Sequence, residues 1–489
     1  MKLKMIAAVL GVVVVALACV LVVNTLRLTS LQVEAEPAPD IPMNEIEAAE
    51  RLAGALQFPT ISPEDAADFD SVPFLQFHAY LEETFPNVHS TLNRETVNEY
   101  SLLYRWEGSD PNLEPIAMLA HMDVVPVEPG TEDTWTHGAY EGRIEDGFVW
   151  GRGALDMKNI LIGSMEAAEM LVSDGFQPRR TIYFAFGHDE EIGGQNGAVA
   201  IAALLQSRGV TLDHVLDEGG AIADGLVPGI DGTVALVGVA EKGFASVELL
   251  VETTGGHSSM PPAQTAVGIL SAGIQRLEAN QMPLSYSGAT EAMFDYIGPE
   301  MGFGPKLFVA NRWLFGGLLK RMFGSSPEGS AMLRTTTAPT IFQAGVKANV
   351  LPSTARAVVN HRILSGETSA DVLGHDRRTI SDSRIQVDLV DGVVSEPTPV
   401  SDVDSESFLT LSRTIREVFP GAVVSPYLVV GGTDSRHYAG VARNVYRFSG
   451  TLVGADDLGR IHGTDERVAV EAYADLVRFF IRYLQNTAL

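Results

Sequence analysis

The chain has 489 residues, 46% of them apolar, which is more than one ordinary domain needs and excludes a disordered polypeptide. Acidic residues outnumber basic ones by 62 to 34, and a net charge of −28 repels phosphate backbones, so nucleic acid is excluded as a partner class. The single cysteine, Cys19, excludes an intrachain disulfide and a thiolate metal cluster, leaving His, Asp and Glu as metal donors.

From Met5 to Val23 every residue is apolar or Gly, and Lys2 and Lys4 precede the run. About twenty such residues cross the hydrocarbon of a bilayer as a helix. Residues 1–27 are therefore expected to be a transmembrane anchor, with the positive N-terminus in the cytosol and the remainder in a periplasmic, lumenal or extracellular space. A cleaved signal segment, which would leave the protein secreted, is the competing reading, although no small-x-small site interrupts the run before Asn24. Leu17-Ala18-Cys19 also carries a faint lipoprotein-like pattern. Residues 28–43, with Pro37, Pro39 and Pro42 among acids, read as a linker.

Helical spacing follows over Asn44–Leu56 and Ser71–Phe85. Short apolar runs then alternate with helical stretches: strands at Ile116–Ala120, Thr181–Phe186 and His214–Leu216, helices at Asn159–Ser173 and Asn196–Gln206. This order predicts an α/β catalytic domain whose mainly parallel sheet is flanked by helices, with ligands gathering at the carboxyl ends of the strands. Near Lys242 the pattern changes. The alternating strand Ala245–Glu252, the helix Thr265–Leu277, a long insertion to about Ala331 and the strands Thr340–Val346 and Ala355–Ile363 predict a small inserted α+β domain. It is expected to cover residues 242–364, leaving 44–241 and 365–489 to the catalytic domain. Helices at Ser405–Val418 and Val468–Leu484 close the chain.

Acids and histidines fall where such a sheet gathers ligands. His121 and Asp123 follow one apolar strand, Glu190 and Glu191 a second, and Asp217 and Glu218 a third, while Asp156 sits in a Gly-rich turn leading a helix. A single loop carboxylate is ordinarily a solvated charge or a helix cap. Four such placements in series point to a divalent cation held by imidazole and carboxylate, for which Zn²⁺ is the first choice and Mn²⁺ or Co²⁺ are substitutes.

The segments His121-Met122-Asp123, Gly151-Arg152-Gly153-Ala154-Leu155-Asp156-Met157-Lys158, Asp189-Glu190-Glu191-Ile192-Gly193-Gly194, Asp217-Glu218-Gly219-Gly220 and Arg460-Ile461-His462-Gly463 resemble the motifs of the M20 metallopeptidases, in order and without a gap. Within that family, Glu241-Lys242-Gly243, Arg334-Thr335-Thr336-Thr337-Ala338 and Gly345-Val346-Lys347 resemble the branch of N-fatty-acyl-amino-acid synthase/hydrolases and Gly-X carboxypeptidases. The resemblance implies two Zn²⁺ per subunit bridged by Asp156. His121 and either Glu218 or Asp217 would complete one site, and Glu191 and His462 the other. It also implies Glu190 as general base and Asp123 as the carboxylate that orients His121. His257, in Gly255-Gly256-His257-Ser258-Ser259, would be a lid histidine reaching the site of a partner in a homodimer and stabilising the oxyanion, where a plain turn histidine is the alternative. Arg362 and Asn349 would grasp the substrate carboxylate and the oxyanion region, against a surface salt bridge for Arg362. The loop Gly431-Gly432-Thr433-Asp434-Ser435-Arg436 resembles a segment facing the site.

The implied activity is cleavage, or reversed formation, of the amide bond of an N-acyl amino acid. A Gly-X carboxypeptidase acting on short peptides and a non-catalytic binding protein are the alternatives. One segment departs from the charge of the rest. Met301–Ser326 has no acid, and carries Lys306, Arg312, Lys320 and Arg321 among Phe308, Trp313, Phe315, Leu318, Leu319, Met322 and Phe323. It reads either as an interfacial helix on the membrane beside the anchor or as an apolar dimer or core helix with basic ends.

Overall fold

The structure, a computed structural model, describes residues 2–488; Met1 and Leu489, the outer ends of two expected segments, lie outside the described residues. Ten strands form the main sheet. Its centre runs Ser101–Trp106, Ile182–Gly187, Ile116–His121, Leu212–Asp217, Ala442–Arg447, Thr233–Glu241. The three strands found from the sequence are mutually parallel neighbours, and Ala442–Arg447 continues in the same sense beside Leu212–Asp217. Alternation explains why they read as unbroken apolar runs. Met118 and Ala120 enter the core on one face, whereas Ala117 and Leu119 enter the core on the other.

The expected helices form, and three begin one residue later than the periodicity suggests. Asn44, Thr265 and Ser405 are extended residues whose side chains cap Glu45–Ala55, Ala266–Ala279 and Glu406–Val418. A cap of this kind contributes about 1 kcal/mol. Helix Lys158–Ser173 is covered on nearly all sides, chiefly by the C-terminal helix Val470–Thr487, and also by Pro86–Thr91, Glu45–Ala55 and the strand Ile116–His121. A Cβ at Gly163 would stand 2.3 Å from Leu476 Cδ2, so glycine permits the close helix crossing.

A separate antiparallel sheet runs Thr336–Ala344, Thr354–Ile363, Gly243–Glu252, Ile385–Ser395. The sequence reading ends the inserted unit at Leu364; the sheet does not. Ile385–Ser395 pairs with Gly243–Glu252, more than a hundred residues earlier, and Ser369–Ile380 packs beneath the same strands. Such long-range pairing leaves no local signal. Met301–Ser326 also departs from the expected inserted unit. Its helix Phe303–Ala310 lies against the N-terminal helix Lys2–Arg27, Arg312–Phe323 packs on Phe303–Ala310, and Met301 and Val309 share a core with Ile230 and Val234 of the main unit. The linker is held as well. The Gln32 side-chain amide donates to Val424 O (2.9 Å) and accepts from Val424 N (2.8 Å), filling the free edge of the strand Val423–Val429.

Candidate metal centre and substrate cleft

His121 ends its strand with the ring fully buried. Its Nδ1 lies 2.9 Å from the Asp123 carbonyl oxygen and 3.3 Å from Asp123 Oδ1. Those acceptors take the Nδ1 proton and direct Nε2 at Asp156 Oδ1 (3.1 Å) and Glu218 Oε1 (3.5 Å), where it would ligate a cation on losing its own proton. The other Asp156 oxygen, Oδ2, lies 3.0 Å from His462 Nε2, which is 3.4 Å from Glu191 Oε2. Two donor triads, His121–Asp156–Glu218 and Asp156–Glu191–His462, thus share one carboxylate and direct each of its oxygens to a different histidine.

The donor set fits a pair of cations. Tetrahedral ligands about 2.0–2.1 Å from Zn²⁺ stand about 3.3 Å from each other, within the observed range of N–O separations. Glu191 Oε1 is buried without a hydrogen-bond partner, as a ligand oxygen would be. In the protein alone, protons take the place of cations. Donating to Asp156 and then to Glu191 lifts the His462 imidazole to about 10. Burial, followed by the charge of Asp156, lifts Glu218 to about 8. Burial pulls Asp156 upward, but His121 and His462 outweigh it and hold the carboxylate below its ordinary value.

Asp217, the alternative to Glu218, faces elsewhere. Its Oδ2 accepts from Ser435 N at 2.8 Å, because consecutive residues at a strand end project to opposite sides. Asp123 is fully buried, and its two oxygens accept the backbone amides of Glu190 and Glu191, each at 3.1 Å. This fixes the short turn that sends Glu191 into a triad and leaves Glu190 outside both. Burial raises the Glu190 carboxyl well above its usual range; His121 opposes the shift and Glu218 adds to it.

Of two further groups that build this centre, sequence reasoning assigned no role to Glu466 and named Asp434 only as part of the loop Gly431–Arg436. Glu466 is fully buried, pairs with Arg152, and accepts from the backbone amides of Gly153 (3.1 Å), Leu155 (2.7 Å) and Asp156 (3.1 Å), shaping the loop that presents Asp156. Asp434 lies close against Gly187 and Gly194, where a Cβ on Gly194 would approach Oδ1 to 2.3 Å. Gly194 also has φ +70°, so glycine is required there twice over. The amides of Gly153, Leu155 and Asp156, in a glycine-rich loop with no ladder of its own, were the signal available for Glu466.

The centre opens into a cleft of about 1240 Å³ between the main sheet and the antiparallel sheet. Glu190, Arg362 and Arg436 line it together. Arg362 packs its guanidinium over the Phe244 ring at 4.9 Å, and burial followed by the charge of Arg436 lowers its pKa. Two guanidiniums facing one cleft favour an anion. His257 and Asn349 do not line it. They sit on an exposed two-stranded ribbon in which Gly256–His257 pairs with Val350–Leu351, and Ser258 N donates to Asn349 O at 3.2 Å.

An α/β sheet with a His and carboxylate cluster at its strand ends, facing a second sheet across a cleft, defines the class as a metallohydrolase. A model of Peptidase family M20/M25/M40 matches residues 117–486. The chain is 42% identical to the N-fatty-acyl-amino acid synthase/hydrolase of Xenopus tropicalis, over 90% of this chain and 85% of that one. It is 39% identical to a probable carboxypeptidase S-like 2 of Dictyostelium discoideum, over 99% of this chain and 95% of that one. The fold matches the M20 family metallo-carboxypeptidase Sso-CP2 from Sulfolobus solfataricus with a TM-score of 0.64 at 18% identity, covering 91% of this chain and 99% of that chain. The chain belongs to the M20 metallopeptidase family.

Proposed function

We propose that this enzyme hydrolyses, and in reverse forms, the amide bond of N-acyl amino acids that carry a free carboxylate, with long acyl chains among its substrates. The observation that carries this reading is one cleft holding a two-cation donor cluster, an uncommitted Glu190 and the Arg362–Arg436 pair. Two Zn²⁺, or Mn²⁺ or Co²⁺ in their place, would be held by His121, Asp156 and Glu218 on one side and by Asp156, Glu191 and His462 on the other. When bound they supply Lewis-acid polarisation of the amide carbonyl and lower the pKa of the attacking water. Glu190 takes the proton of that water and returns it to the leaving nitrogen. Asp123 keeps the His121 tautomer and the Glu190–Glu191 turn in place. Arg362 and Arg436 clamp the carboxylate bidentately, which sets the distance from that anion to the scissile bond.

His257 and Asn349, placed on the ribbon, act on the cleft of a second copy in a homodimer. The N-terminal helix is a retained anchor that leaves the catalytic unit on the non-cytosolic side. The cleft is larger than the roughly 300–1000 Å³ of ordinary small-ligand sites, which favours a long acyl chain over a dipeptide. Likeness to a carboxypeptidase S-like protein keeps the Gly-X peptidase as the rival reading. Metal-loaded enzyme assayed on oleoyl-phenylalanine and on a Gly-Leu dipeptide separates them: kcat/KM should favour the acyl substrate by at least tenfold. The opposite ratio makes the enzyme a carboxypeptidase.

A further inference from the structure

The C-terminal turns of the N-terminal helix are built into the fold. Thr25 is 1% exposed, and Leu28 packs against the core that contains Met293, Phe294, Met301 and Val309. Asn311, fully buried at the junction of Phe303–Ala310 and Arg312–Phe323, accepts from Asn24 Nδ2 (2.9 Å) and donates to Leu21 O (3.0 Å). Trp313 Nε1 donates to the same Asn311 oxygen at 3.3 Å. Earlier in the helix, Met5–Val20 is exposed throughout, and Lys4–Arg27 contains an 18-residue window with a mean hydropathy of 3.3.

The two helices at that junction continue this apolar surface. Trp313 (63%), Met322 (59%) and Phe303 (57%) are exposed together with Leu314 and Leu318, while Leu319 and Val309 point inward. No acid lies between Met301 and Ser326. Arg312 is paired with Asp295 and Lys306 with the Pro299 carbonyl; Lys320 lies over Tyr286 and Arg321 is exposed.

We propose that Phe303–Phe323 is a membrane-docking surface, embedded in the lipid leaflet that faces the catalytic unit, with Trp313 at headgroup depth. The proposal rests on the retained-anchor reading. Continuity selects a lipid surface as the occupant. The exposed apolar side chains adjoin a helix of bilayer-spanning length, at about the height where residues Leu21–Thr25 would leave the hydrocarbon. An interfacial tryptophan and basic residues on an apolar helix fit a leaflet of mixed zwitterionic and anionic headgroups. The anchor is joined to this surface by Asn24–Asn311, and the linker that follows it is joined to the main sheet by Gln32–Val424, so anchor and surface together fix how the catalytic unit sits on the bilayer. Leu236 lines the cleft and also packs against the core that holds Leu28 and Met301, so the docking unit abuts the wall of the substrate site.

The test uses the full chain reconstituted into phosphatidylcholine vesicles, with and without about one third phosphatidylglycerol, and with bromine placed on the acyl chains. Trp313 is one of four tryptophans, so its signal is the difference between wild type and Trp313→Phe. The expected result is that brominated lipid quenches this difference emission several-fold more than aqueous acrylamide does. In the double variant Leu314→Asp, Leu318→Asp the preference should reverse. That variant should stay in the vesicle fraction and hydrolyse a short-acyl substrate within twofold of wild type, which shows that it folds. Difference emission open to acrylamide and untouched by bromine overturns the proposal. So does shielding from both quenchers, which would mean that a protein, such as a second copy, covers the surface. The intact mass is read in parallel. Loss of residues 1–27 overturns the anchor reading and this proposal with it, whereas an intact chain with acrylamide-exposed Trp313 overturns this proposal alone.

Discussion

Glu190 and Glu191 are adjacent but have different surroundings, because the Asp123 carboxylate accepts both of their backbone amides and one side chain turns into the Asp156–His462 triad. Glu190→Gln is therefore expected to retain two metals per chain by elemental analysis while kcat falls by about a hundredfold to ten-thousandfold. Loss of one metal together with activity would exchange the two glutamates. Arg362→Ala removes charge-assisted hydrogen bonds worth about 1.5–3 kcal/mol, so kcat/KM for an N-acyl amino acid should drop by about ten- to a hundredfold. For the carboxamide analogue of the same substrate it should change little. The pH dependence of metal binding follows from the imidazole of His462, lifted to about 10, and the carboxyl of Glu218, lifted to about 8. Both groups are protonated at neutral pH in the metal-free protein and must be deprotonated to ligate. Cation binding should release protons, and affinity should rise through the neutral range by about tenfold per pH unit for each proton released. Calorimetry in two buffers of unlike ionisation enthalpy measures that count; a count of zero contradicts the donor assignment.

At the level of elements, the loop Gly151–Lys158 has little regular structure of its own and depends on Glu466 arriving from the far end of the chain. Glu466→Ala would strip three backbone amides of their acceptor and leave Arg152 buried without its partner. Metal affinity should fall about 10–100-fold although no ligand has changed, measured by competition with a chelator of known strength. An unchanged affinity would mean that the loop holds its shape unaided. The same dependence limited the sequence reading of the site. His121, Asp156, Glu190 and Glu191 stood out because each sits in a local pattern at a strand end or a glycine-rich turn, whereas His462 was reached only through the resemblance of its segment to a family motif. Glu466 was passed over, and Asp434 was named only within its loop, because their partners are backbone amides and glycines of other elements.

At the scale of the whole molecule, the cleft of one chain contains Glu190 and Arg362 but neither His257 nor Asn349. Mixing a His257→Ala chain with a Glu190→Ala chain should restore activity toward one quarter of wild type, since random pairing gives half heterodimers, each with one intact site. No restoration would leave His257 outside the reaction. The same separation of distant parts explains the misjudged end of the inserted unit. Strand Ile385–Ser395 joins the antiparallel sheet only through Gly243–Glu252, and nothing near Leu364 announces it.

By itself the amino-acid sequence determined the apolar N-terminal helix, the parallel strands, the helices to within a residue or two at their starts, and the set of acids and histidines at strand ends. These follow from periodicity, turn chemistry and donor type, which act over a few residues. Only the tertiary structure decided that Glu218 rather than Asp217 faces the donor cluster. It also brought Arg436 beside Arg362, and docked the N-terminal helix, through Asn24 and Asn311, against a helical surface nearly three hundred residues away. Each of those outcomes depends on which side chains meet across elements, and packing and pairing between remote segments set that geometry.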